Sequence, residues 1–134
     1  MKTRFKFFVA LPAALLLGGL TCAAADALDG STFSGTVLEV GKSSGVSDHF
    51  KFNHGQFQST ACVPFGFETG AYTTQTSDAG IEFHATVPCN KSAGDEMRWD
   101  GTVKGDAISG TMVMKQAGKE TQFAFDGKRA SPAP

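Results

Sequence analysis

The chain has 134 residues, with 12 basic and 13 acidic side chains and a net charge of −1. Lys2, Arg4 and Lys6 precede residue 25 and every acidic residue follows it, so residues 26–134, 109 in number, carry −4 on their own. That balance, with basic residues scattered except at Lys128-Arg129, argues against nucleic acid or an anionic membrane surface as the main partner, since both call for a basic patch.

In chain order, the basic start is followed by an apolar run from Phe7 to Leu20, broken only by Pro12, Gly18 and Gly19 and too short for a comfortable membrane span. Ala23, Ala24 and Ala25 supply the small residues of a signal-peptide cleavage site, which places cleavage after Ala25 and the product in a secreted or periplasmic setting. A lipoprotein with acylated Cys22 calls for a small residue at position 21 and an aliphatic one at 19, and Thr21 and Gly19 fit that poorly. No second apolar run follows, so no membrane span is expected after cleavage. Residues 26–129 are expected to form one β-domain, and 130–134 (Ala-Ser-Pro-Ala-Pro) a disordered tail.

Asp26 to Gly30 is a short lead-in, and Ser31 to Val40 has the Thr, Val and Phe content of a strand. Gly41 to Ser47 is a loop; His49 to Asn53 alternates, with Phe50 and Phe52 on one face and His49, Lys51 and Asn53 on the other. A tight turn at Asn53-His54-Gly55 leads to Gln56–Ala61, and the loop VPFGFETG then leads to a strand over Ala71–Ser77. Past Asp78-Ala79-Gly80 comes the cleanest alternation of all, with Ile81, Phe83, Ala85 and Val87 on one face and Glu82, His84 and Thr86 on the other. Glu96–Lys104, Ala107–Lys115 and Lys119–Asp126 complete the set, with Met97, Trp99, Gly101 and Val103, then Ile108, Gly110, Met112 and Met114, then Phe123 and Phe125 in phase. Helical periodicity is absent, so the expected fold is all-β: a small antiparallel up-and-down β-barrel of about eight strands with one disulfide.

A short motif recurs at Ser34-Gly35-Thr36-Val37, Asp100-Gly101-Thr102-Val103 and Ser109-Gly110-Thr111-Met112. Glycine inside a strand marks a bend, a bulge or a close backbone approach, and three of them favour a strongly curved sheet. In an up-and-down order successive turns fall at opposite ends. The loops near 42–47, 62–70 and 89–95 and the turn at 116–118 therefore share one end, and the tight turns near 54, 79 and 105 share the other.

Cleavage after Ala25 leaves two cysteines, Cys62 and Cys89, and an even pair in a small exported domain reads as a disulfide, worth roughly 3.5 kcal/mol in the chain-entropy model. A metal site would want more ligands, and a redox pair closer spacing. Both cysteines fall at the end that carries the longer loops.

In its signal peptide, its meander and its cysteine pair the chain resembles a lipocalin-like, or calycin-like, exported β-barrel, which implies a small apolar ligand held inside. Lipocalins carry Gly-x-Trp near the start of the first strand; here that strand has Phe33-Ser34-Gly35, and the single tryptophan lies in Trp99-Asp100-Gly101. The chain is also shorter than a typical lipocalin, and both departures argue against a roomy cavity.

An eight-stranded barrel is just wide enough to be filled by its own side chains or to hold one small ligand. Phe83, Trp99, Met112 and Phe123 stand for the inward set that either lines such a pocket or fills the core, and the chain length favours filling. Phe65 and Phe67, in the loop after Cys62, are a portal or docking surface if exposed and a plug if tucked in. His49 and His84 fall on polar faces and His54 in a turn, with no metal-site spacing among them. No catalytic motif, no cofactor motif and no metal site is found, so the chain does not read as an enzyme. Two readings stand: a barrel that binds a small apolar ligand at the loop end near Cys62 and Cys89, or a protein-interaction module, such as an inhibitor of a secreted hydrolase, using the loops around Val63–Thr69 and Asn90–Asp95.

Overall fold

The computed structural model describes residues 27–130. The expected leader over 1–25, the alternative lipid site at Cys22 and tail residues 131–134 lie outside the described residues. Eight strands follow one another: β1 (Thr32–Glu39), β2 (Val46–Asn53), β3 (Gln56–Ser59), β4 (Gly70–Ser77), β5 (Gly80–Pro88), β6 (Glu96–Lys104), β7 (Ala107–Gln116) and β8 (Lys119–Arg129). Each pairs antiparallel with the next, and β8 returns to β1 from Phe33↔Arg129 to Glu39↔Phe123, closing an up-and-down barrel. A closed sheet has no exposed edge, and the architecture is consistent with a calycin-like barrel.

The alternation in the sequence becomes an inside and an outside. Phe83, Ala85 and Val87 of β5 are buried, and so are Met97, Trp99 and Val103 of β6 and Phe50 and Phe52 of β2. Trp99 lies at the centre of the packing, with ring centroids 5.0 Å from Phe57, 5.1 Å from Phe125 and 5.8 Å from Phe50. Phe52 meets Phe83 and Tyr72 edge-on, each at 5.0 Å. Such pairs add about 0.5–1.5 kcal/mol each beyond the area they bury. The middle of the barrel is therefore solid, and the Trp99 indole N–H lies among these rings without a hydrogen-bond partner.

The recurring glycines carry the curvature. Gly101 and Gly110 pair across β6 and β7; an ideal Cβ at Gly101 would meet the rings of Phe83 and Phe125, at 2.6 and 2.8 Å, and one at Gly110 would meet the Asp100 carbonyl oxygen at 2.1 Å, with the Phe125 ring at 2.8 Å. Gly35 pairs with Gly127 where β1 meets β8, and there the opposing backbone fills the same space.

The far end is sealed by residues that the sequence shows only as a lead-in. Leu28 is buried in the core, and the Gly30 N–H donates to Phe52 O (2.8 Å). Asp29 accepts the Tyr72 hydroxyl (2.7 Å) and the Gly55 N–H (3.0 Å). Arg129 lies over the Phe33 ring at 4.8 Å and donates to Ser31 Oγ (2.8 Å) and Gly105 O (3.2 Å). Ala130, the first residue of the expected tail, still donates its N–H to Thr32 O (2.8 Å).

The Tyr72 hydroxyl bond holds the Asp29 carboxyl below the ordinary carboxylate range; partial burial opposes it, and the Gly55 N–H and His54 add to it. A folded-state value below the unfolded one, about 3.9, gives stability that is present above pH 4 and lost as pH falls through the folded value. Urea midpoints measured from pH 6 down to pH 2 should therefore fall more steeply for the wild type than for Asp29→Asn. Equal slopes would mean that the tie contributes nothing.

The expected disulfide is not formed: Cys62 and Cys89 are free thiols. Both flank Phe67, whose N–H donates to Cys62 O (3.3 Å) and which bridges to Cys89 across the sheet direction. Cys62 lines the cleft at the barrel mouth, and the Cys89 thiol donates to Phe65 O (3.6 Å).

Candidate functional site at the barrel mouth

β3 is short, and its ladder to β4 consists of Gln56↔Ala71 and Phe57↔Gly70. Where it would have continued, the chain turns into a 3-10 helix, Thr60–Phe65, ended by Gly66 in the left-handed conformation (φ 99°). This helix and the β1–β2 loop stand on opposite sides of a cleft of about 530 Å³ at the loop end of the barrel. Val37, Met112, Met114 and Phe123 form its apolar wall, Lys42–Val46 one lip, and Ala61, Cys62 and Phe65 the other.

Asp48 lies in this cleft and is 2% exposed. Its Oδ1 accepts the N–H groups of His49 (2.7 Å) and Ala61 (3.0 Å) and, more weakly, the Thr60 hydroxyl (3.4 Å). Its Oδ2 accepts the Ser59 hydroxyl. Ser59 is the helix N-cap residue yet makes no side-chain cap bond, so Asp48, from another strand, takes the orphan N–H that a capping side chain would normally satisfy. Burial pushes the Cys62 thiol up, with the Asp48 charge adding to it and the Ser59 hydroxyl acting the other way. That keeps Cys62 a thiol at neutral pH and speaks against a nucleophilic role.

The structure separates the residues singled out from sequence. Phe65, Met112 and Phe123 meet in the cleft with Cys62. Phe83 and Trp99 are deep in the filled core, away from it. Phe65 and Phe67, alike in sequence, part company: Phe65 is 67% exposed at the lip and Phe67 is 1% exposed, plugging the side of the barrel next to Cys89. A double Phe65, Phe67 substitution is thus no clean probe of the loop, because emptying the Phe67 position costs about 3 kcal/mol by itself.

Sequence reasoning missed Asp48. The signal was present, since Asp48 is in phase with Phe50 and Phe52 and so belongs to the inward face of β2.

The large hydrophobic residues exposed among the described residues are Val40 (62%), Val46 (61%) and Phe65 (67%), and all three lie at the mouth. The two outer loops are also tied into one surface: Asn90 donates through its N–H to Gly66 O (2.8 Å) and through Nδ2 to Glu68 (2.7 Å), and Lys91 Nζ donates to Pro64 O (2.9 Å). No group of three or more His, Cys, Asp or Glu side chains suited to a metal occurs among the described residues. Compared with family models, curated proteins and solved structures, the chain matches none.

Proposed function

We propose that this chain is an exported binding barrel that holds one small apolar molecule, or the apolar end of a larger one, in the cup at its mouth. The observation that carries the reading is the coincidence of an apolar cleft of about 530 Å³ with a lip of exposed Val46 and Phe65, on a barrel closed at its other end. Aromatic rings packed on one another fill the middle of the barrel, so the ligand lies on Met112, Met114 and Phe123 rather than among the rings, and the methionines adapt to its shape. The exported setting rests on residues 1–25. Intact mass of the chain recovered from the exported fraction should correspond to a start at Asp26, and retention of Met1 would remove that part of the proposal.

Nile red, a neutral dye whose emission shifts to the blue in apolar sites, tests the cup. Titrated into residues 26–134, it should bind saturably, and Phe65→Ser should weaken it about tenfold, the worth of one partly covered aromatic side chain, without changing the melting temperature. Absence of saturable binding would overturn the reading. It would favour the alternative in which the tied loops around Val63–Thr69 and Asn90–Asp95, with Phe65 at their edge, dock a secreted protein, as an inhibitor of a secreted hydrolase does.

A further inference from the structure

Resting on that reading of the cup, we infer that its preferred ligands are amphiphiles whose polar end is a primary ammonium, bound in preference to alcohols and carboxylates of the same chain length. The inference comes from Asp48. All four of its donors are neutral, two backbone N–H groups and two hydroxyls. None of the ion pairs among the described residues involves it. A carboxylate this buried normally has a cation beside it.

Counting lone pairs shows where a cation would go. Each carboxylate oxygen has about two acceptor directions. Oδ1 serves His49, Ala61 and, at longer range, Thr60, while Oδ2 serves Ser59 alone and keeps one direction free. The other titratable groups lining the cup are Glu39 on β1, Lys42 on the β1–β2 loop and the Cys62 thiol; β7 and β8 contribute Met112, Met114 and Phe123, which carry no charge. Glu39 is half-buried and Lys42 is exposed on the lip, so the inner part of the cup holds two negative groups and no positive one. An alkylammonium lays its chain on the methionines and Phe123 and gives one N–H to Asp48 Oδ2. An alkanoate adds a third negative charge to the same space, and an alcohol can donate a hydrogen bond to the carboxylate but brings no positive charge to pair with it.

The test is displacement of Nile red by decylammonium, decan-1-ol and decanoate at pH 7 and low salt, the two ions below their micelle concentrations and the alcohol below its solubility limit. Decylammonium should bind about tenfold tighter than decanol, with decanoate the weakest. In Asp48→Asn the ammonium should fall to about the level of the alcohol while decanol weakens much less, a change of selectivity that a purely structural Asp48 does not produce. If that variant does not fold, the wild-type order decides, together with Glu39→Gln, which should narrow the gap between decylammonium and decanoate. Decanoate binding as tightly as decylammonium, or a folded Asp48→Asn with its preference intact, overturns this inference and leaves the apolar cup standing. If Nile red and all three probes fail to bind, the cup itself is wrong and this inference goes with it.

Discussion

Asp48→Ala should lower the stability of the barrel by about 3 kcal/mol or more, and the loss should begin at the mouth. Removing the carboxylate leaves two backbone N–H groups and the Thr60 hydroxyl, all part-buried, and the buried Ser59 hydroxyl without their acceptor. Each bond to a charged acceptor is worth about 1.5–3 kcal/mol, and orphaned donors cost more than the bond alone. The Thr60–Phe65 helix has no side-chain cap of its own, so its first turn depends on a residue of β2 for register. Urea denaturation measures the total, and amide exchange at Ala61 localises it. A loss under 1 kcal/mol, with Ala61 still protected, would show that the helix is held by its packing and that Asp48 is dispensable there.

Gly35→Ala should prevent folding. An ideal Cβ at this position falls on the Asp126 carbonyl oxygen and 2.7 Å from Gly127 Cα, and both obstacles are backbone of the strand that closes the barrel. No side chain is there to swing aside, so the added methyl separates β1 from β8 or is refused. Gly118→Ala is the control. Its Cβ meets nothing within 4 Å, and its φ of 81° limits the penalty to about 1 kcal/mol of backbone strain. Circular dichroism and thermal melts of the two variants should contrast sharply. A cooperative melt for Gly35→Ala close to that of Gly118→Ala would mean that the seam is looser than its geometry indicates.

That close approach at Gly35 explains why the curvature was legible in advance: a glycine repeated at inward strand positions has few other uses. The period-two pattern was equally informative, because a barrel wall has one dry and one wet face and Ile81–Val87 records both. The placement of the longer loops at one end followed from counting turns, and Ala117, whose N–H donates to Asp95 across that end (3.0 Å), agrees with it. What sequence could not supply was anything decided by contacts between distant segments. Phe65 and Phe67 are separated by a single residue and have the same chemistry, yet the left-handed Gly66 between them turns one out and the other in. Leu28 looked like lead-in because a lone leucine has no period, and only the floor beneath Phe52 and Tyr72 gives it a burial site. The cysteine pair misled for the same reason: spacing and number say that a bridge is permitted, whereas the places the fold gives the two sulfurs decide whether it forms, and here both stay free.

Both ends of the described chain lie on the sealed side of the barrel, where Leu28 and Asp29 bond to Tyr72 and Gly55. Ala130 is bonded to Thr32 and Arg129 to Ser31, both on the sealed side. Anything attached at either end, whether a resin, a fusion partner or a surface, therefore becomes a base on which the barrel stands with its opening directed outward. Two barrels joined end to start would share one stalk and present their mouths away from each other, so that a tandem could touch two separate targets at once.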